Sequence, residues 1–97
     1  MDNSDLTIIM VAYRPKINLL KSLILKFNNL YKILITNNSE KKLDESIYEL
    51  KNTDVIENEK NLGNGAGINV CLRHCKTKFA LYLDIDANIT IKELHKL

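Results

Sequence analysis

Apolar positions arrive along this chain in two alternating rhythms. Leu6-Thr7-Ile8-Ile9-Met10-Val11-Ala12 is a nearly unbroken apolar run rich in β-branched residues, the composition of a parallel strand covered on both faces. Ile17, Leu20, Leu23, Ile24 and Phe27 then recur at helical spacing, with Lys21 and Lys26 on the other side. Pro15 fits the first turn of that helix, where a missing N–H costs nothing, and Asn28-Asn29 breaks it. Residues 31–35 predict a second buried strand, ended by the turn chemistry of Asn37-Asn38-Ser39. Leu43, Ile47 and Leu50 stand at i, i+4, i+7 and predict a second helix, with Lys42, Glu45 and Glu49 on its polar face. Val55-Ile56 predicts a short third strand, and residues 57–60 are too polar for a core. Residues 66–75 predict a third helix that buries Ile68, Cys71 and Leu72, and residues 78–83 a fourth strand. Thr90 with Glu93 forms a capping box that opens a last helix over 90–97.

Strands alternating with helices predict right-handed βαβ units, so the fold class is α/β: a parallel, Rossmann-like half-sheet with interleaved helices, in one domain over 1–97. Composition narrows the picture little further. Fourteen basic against 12 acidic residues in 97 give a formal net charge of +2, too small to argue for nucleic acid or an anionic membrane surface. No apolar run reaches the roughly 18–20 residues of a membrane span, and Asp2 and Asp5 sit where a secretory signal would be basic. Two cysteines make no disulfide framework, which points to a reduced compartment.

Three places carry candidate chemistry. Asp84-Ile85-Asp86 follows the fourth strand; in an extended segment its two carboxylates share one side, with no basic residue beside them. Like charges at that spacing are costly without a cation, and oxygen ligands with open positions suit Mg²⁺ or Mn²⁺ shared with substrate phosphates. A solvated loop after a strand explains the same triplet. Asn61-Leu62-Gly63-Asn64-Gly65-Ala66-Gly67 holds all three glycines of the chain and opens the third helix. Its G-x-G-x-G spacing after strand three differs from the G-x-G-x-x-G after strand one of a dinucleotide fold, and a tight turn packing helix on sheet explains it as well. Cys71, His74 and Cys75 fall at i, i+3, i+4, but zinc wants four ligands and the only other histidine is His95, so a buried helix face is the better reading.

In this order the pieces resemble the opening half of a family 2 glycosyltransferase of the GT-A fold. The resemblance rests on residues 7–13, 33–39, 61–69 and 81–86, above all on Asn61-Leu62-Gly63 through Asn69 followed by strand and Asp-x-Asp. Within the family the chain is most similar to rhamnosyltransferase-like bacterial enzymes of surface polysaccharide synthesis. The resemblance implies a nucleotide-sugar donor bound by Ala12, Tyr13, Asn37, Asn38, Gly63, Gly65, Asn69 and Asp84, with Mn²⁺ or Mg²⁺ on Asp86 and Asp84. Tyr13 would flank the base, Asn37 and Asn38 edge the base or ribose, the glycines shape the donor pocket, and Asn69 support their loop. With strands in the order 3-2-1-4, the ends of strands one and four would share one crevice at a topological switch point.

Two positions depart from the family pattern: Thr36-Asn37 stand where an acidic residue usually follows strand two, and Ala12 where Thr is common. The family's acceptor half and general base lie downstream of the Asp-x-Asp strand, so no catalytic residue is expected among these 97, and Glu93 is not assigned that role. Further expectations are an inverting transfer of a hexose to a glycan or lipid-linked acceptor by the longer enzyme, in the cytoplasm at the inner face of the membrane. The 97-residue piece alone is expected to be inactive and to form a homo-oligomer through strand four or the last helix. A phosphoryl-receiver domain would need an acidic pair after strand one and a lone aspartate after strand three, and has neither. A binding module that keeps the half-fold without catalysis is the alternative.

Overall fold

The computed structural model describes residues 3–58 and 60–86. The predicted helix over 90–97, with Glu93 and His95, lies outside the described residues. Within them a parallel four-stranded sheet runs in the order β3-β2-β1-β4. Its strands are β1 (Leu6–Ala12), β2 (Lys32–Asn37), β3 (Thr53–Glu57) and β4 (Phe79–Tyr82), joined by helices α1 (Ile17–Phe27), α2 (Glu45–Tyr48) and α3 (Asn64–His74).

The apolar run of β1 is explained by two layers. Alternate side chains leave a strand on opposite faces. Ile8, Met10 and Ala12 therefore meet Leu20, Leu23, Ile24 and Phe27 of α1, together with Ile33, Ile35 and Ile47, in the larger core. Ile9 points the other way and packs with Leu34 and Cys71 beneath α3. Every β1 residue is buried, as a central strand of a doubly covered sheet requires. Asn28 caps α1 through its backbone N–H to the Ile24 carbonyl, and its buried side chain donates to the Lys51 carbonyl at 3.0 Å. The helix breaker thus also ties α1 to the turn before β3.

Three elements differ from the sequence expectation. Pro15 stands outside α1, whose N-cap is Lys16. The predicted second helix is a single turn: Asp44 caps it by accepting from the Ser46 N–H, while Leu43 before it is buried and Leu50 after it half-buried. Three apolar positions at i, i+4, i+7 are satisfied there by a turn between two loops. α3 begins two residues earlier than expected, at Asn64, and buries Gly67, Val70 and Cys71. Ile68 is half-buried and Leu72, expected inside, is exposed, because the helix meets the sheet along the side of Gly67, Val70 and Cys71. Among the described residues β4 has one strand neighbour, β1, and its Phe79 and Ala80 are exposed. No helix of the described residues is long and apolar enough to cross a membrane.

Candidate functional site: a cleft at the carboxyl ends of β1 and β4

The β1–β4 register, Leu6 opposite Phe79 through Ile9 opposite Tyr82, continues with a bond from the Leu83 N–H to the Ile9 carbonyl at 3.0 Å. That ladder delivers the Asp84-Ile85-Asp86 segment to the end of the neighbouring strand, where Tyr13 follows β1. A cavity of about 360 Å³ opens between them, lined by Tyr13, Asp84 and Asp86 together with Arg14, Lys16, Asn64 and Tyr82. This is the carboxyl-end crevice where open α/β sheets bind ligands.

The acidic segment is a turn rather than an extension of the strand. The Asp86 N–H donates to the Asp84 carboxylate at 3.2 Å, which folds the chain back, and Ile85 packs on the larger core. Both aspartates are exposed. Burial pushes the Tyr82 hydroxyl above its ordinary range, and the nearby charge of Asp84 adds to the effect. Neither aspartate is in a salt bridge among the described residues, where the ion pairs are Arg14–Glu40 and Lys32–Asp54. The donor set is thus two exposed carboxylates without a cationic partner among the described residues, one of them also accepting the Asp86 N–H. It fits a hard divalent cation that takes its remaining oxygens from phosphate and water. No group of three or more acidic, His or Cys side chains among the described residues could hold a metal without such help.

Arg14 adds positive charge that the sequence pattern did not single out. Its backbone sits in the left-handed region at φ 46, held by its N–H donating to the Ser39 hydroxyl at 2.7 Å. Its guanidinium grips Glu40 through two bonds of 2.9 and 3.1 Å and stands 5.1 Å from the centre of the Tyr13 ring. The pairing holds the Glu40 carboxyl below the usual carboxylate range and lifts the guanidinium further. Tyr13, though exposed, therefore has one face occupied by a cation.

Asn37 and Asn38 do not line the cavity; they tie together the strand ends and loops around it. Asn37 is fully buried: its amide donates to the Lys41 carbonyl and to Glu57, and its oxygen accepts from the Ser39 N–H. Tyr48 donates to the other oxygen of Glu57 at 2.7 Å, so a carboxylate at the end of β3 stands beside the position where β2 lacks one. Asn38 donates to the Gly63 carbonyl at 3.1 Å and accepts from Asn58 at 2.8 Å, and its N–H bonds the Ala12 carbonyl at 2.7 Å. One buried amide thus joins the ends of β1, β2 and β3 to the glycine loop. Ala12 itself is fully buried.

The three glycines divide by role. Gly63 sits at φ 87, where a side chain is strained. Gly65 faces open space, and Gly67 lies against Val11 so closely that a Cβ would stand 2.7 Å from it. Asn69 is exposed on α3, and no hydrogen bond ties its side chain to the loop among the described residues. Among the expected donor residues, then, Tyr13, Asp84 and Asp86 meet in the cavity, Ala12, Asn37 and Asn38 are buried and do not line it, and Gly63 and Gly65 flank its lining residue Asn64. Arg14 and Lys16 of the loop after β1, Asn64 of α3 and Tyr82 of β4 come from three separate segments, and only the neighbourhood of β1 and β4 could have pointed to them.

Cys71, His74 and Cys75 do not converge. Cys71 is buried beneath the Thr36 hydroxyl at 3.1 Å, whereas the exposed His74 bonds the Val70 carbonyl through Nδ1. Burial raises the Cys71 thiol despite its hydrogen bonds. Burial also acts to raise Cys75, but bonds from Thr77 and Thr7 outweigh it and set this thiol below its ordinary range. Because the thiolate is the nucleophile, an alkylating reagent at mildly alkaline pH is expected to label Cys75 in the folded protein and Cys71 only after unfolding. Peptide mass mapping with and without denaturant checks the order.

The sequence matches the family described as Glycosyl transferase family 2 over residues 7–97. No match was found among curated proteins.

Proposed function

The chain belongs to glycosyl transferase family 2, and from that premise we propose that its cleft binds a nucleotide-diphospho-sugar donor together with Mn²⁺ or Mg²⁺. One observation carries the proposal: an aromatic side chain, two unpaired carboxylates and a lysine line one open cavity at the carboxyl ends of adjacent parallel strands. Tyr13 offers a ring for the base. Asp84 and Asp86 would hold the divalent ion, which supplies charge stabilisation for the departing diphosphate. Lys16, also on the cavity wall, is placed to meet phosphate charge, and Asn64 offers an amide at its rim. What these residues contribute is binding and orientation, so that the anomeric carbon is fixed for in-line attack by an acceptor hydroxyl.

The finer reading is an inverting hexosyl transfer in bacterial surface polysaccharide synthesis, of the rhamnosyltransferase-like kind. It rests on the motifs at residues 33–39 and 61–69 and on the order of the elements. The base-recognition chemistry is where this chain stands apart. Asn37 donates its amide to the Lys41 carbonyl and to Glu57, so a carboxylate of the neighbouring strand stands beside the end of β2.

Thermal melts with a nucleoside diphosphate, with Mn²⁺, and with both together test the proposal. Ligands that meet at one site stabilise more together than the sum of their separate shifts, because each is held in part by the other. A rise in Tm beyond additivity is expected. Additive or absent shifts across uridine, guanosine and thymidine diphosphates would overturn it.

A further inference from the structure

The sequence contains one Asn-Gly pair, Asn64-Gly65, and the fold places it at the rim of the cavity that holds Asp84 and Asp86. We propose that Asn64 is a site of spontaneous deamidation, and that the reaction adds a third carboxylate to this cavity.

Three features of the structure expose the pair to that chemistry. Asn64 is the first residue of α3, and Gly65 the second, so the Gly65 N–H is one of the helix-start donors that find no carbonyl within the helix. The first helical bond is made only by the Gly67 N–H, to the Gly63 carbonyl at 3.1 Å, and Gly63 has no side chain with which to cap the others. Both residues are exposed, and beyond the chain neighbours and the helix's own backbone nothing lies within 4 Å of where a Cβ of Gly65 would stand. The Asn64 amide makes no hydrogen bond among the described residues. Asn38-Ser39 offers the contrast: Asn38 is 1% exposed and its amide is bonded at both ends, to Gly63 and from Asn58.

In the reaction the Gly65 nitrogen gives up its proton to hydroxide and attacks the side-chain carbonyl carbon of Asn64. A C–N bond forms and closes a five-membered imide, while the bond to the amide nitrogen breaks and ammonia leaves, taking its proton from water. Water then opens the imide at either carbonyl, giving aspartate or its β-linked isomer. Nothing is oxidised or reduced, and water is the only co-reactant. The new carboxylate stands in the first turn of α3, where the helix dipole favours negative charge. It also adds an oxygen ligand to a cavity that otherwise has two, which strengthens the hold on a hard cation. The chemical step is independent of the proposed donor binding; the change in cation affinity rests on that reading of Asp84 and Asp86.

Incubation at mildly alkaline pH, followed by peptide mass mapping, tests the step. An amide-to-acid mass gain at Asn64, with the isoaspartyl isomer present, is expected well before any gain at Asn38. Gly65→Ala, which meets open space and favours the helix, should keep the fold and abolish the gain over the same period. No gain at Asn64, or the same gain in Gly65→Ala, would overturn the site. Asn64→Asp then tests the consequence with Mn²⁺ alone: a larger rise in Tm than in the wild type is expected, and an equal or smaller rise would overturn the third-ligand role while leaving the mass result untouched.

Discussion

Asp86→Asn is expected to abolish the Mn²⁺-dependent part of nucleoside diphosphate stabilisation and to leave the unliganded Tm unchanged. The unliganded protein loses nothing because the turn is held by the Asp86 backbone N–H and the Asp84 carboxylate, neither of which the substitution removes. The Asp86 side chain is exposed and makes no ion pair among the described residues, so its charge does no folding work. The liganded protein loses half of its carboxylate donor set. A ligand at roughly one hundred times its Kd stabilises by about 2.7 kcal/mol. In a domain of this size about 4–8 °C of Tm accompanies each kcal/mol, so the effect is large enough to read directly. Glu40→Gln removes a carboxylate that grips Arg14 and lies off the cation site, and should keep the Mn²⁺-linked shift. Retention of the shift in Asp86→Asn would remove the acidic turn from the donor site.

The pair of substitutions shows what the sequence made legible. Asp84 and Asp86 stand out because two carboxylates at i and i+2 follow an apolar strand, and the strand order that brings them to Tyr13 follows from four apolar runs separated by helical spacing. The turn that Asp84 closes on Asp86 was not legible. A side chain that caps its own backbone competes with the extended geometry on equal local terms. Arg14 and Lys16 were passed over because they are ordinary surface cations until β4 lies beside β1. The second helix is cut to one turn for another reason: the hydroxyl of its last residue, Tyr48, accepts from the Leu43 N–H and donates to Glu57 of β3, which ties the end of the turn to groups outside it. Periodicity reports which residues are buried, and here a turn between loops buries the same ones.

The glycines were legible as a cluster, yet their separate roles depend on what lies opposite each, and Gly67→Ala is expected to show this most sharply. A Cβ at Gly67 would stand 2.7 and 2.8 Å from the two methyl carbons of Val11 and 3.2 Å from the Asn38 amide nitrogen. Val11 cannot turn aside: it is buried in the central strand, and rotating one methyl away brings the other in. α3 must therefore lift from β1. Lifting it strains the bond from the Thr36 hydroxyl to the Gly67 carbonyl at 2.8 Å and the Asn38–Gly63 bond that anchors the loop carrying Asn64. Overpacking of this kind costs about 1–3 kcal/mol, against which the better helix propensity of alanine returns about 0.5–1. A lowered Tm is expected, with weaker donor binding because the cleft rim moves. Gly65→Ala, two residues away in open space, should instead gain about 0.5–1 kcal/mol. Opposite signs from one substitution type within one turn of helix separate close packing from helix propensity. Adding Val11→Ala to Gly67→Ala removes the colliding methyls, so the double variant should be more stable than the sum of the two single losses predicts. Strict additivity in that cycle would place the cost of Gly67→Ala somewhere other than the contact between α3 and β1.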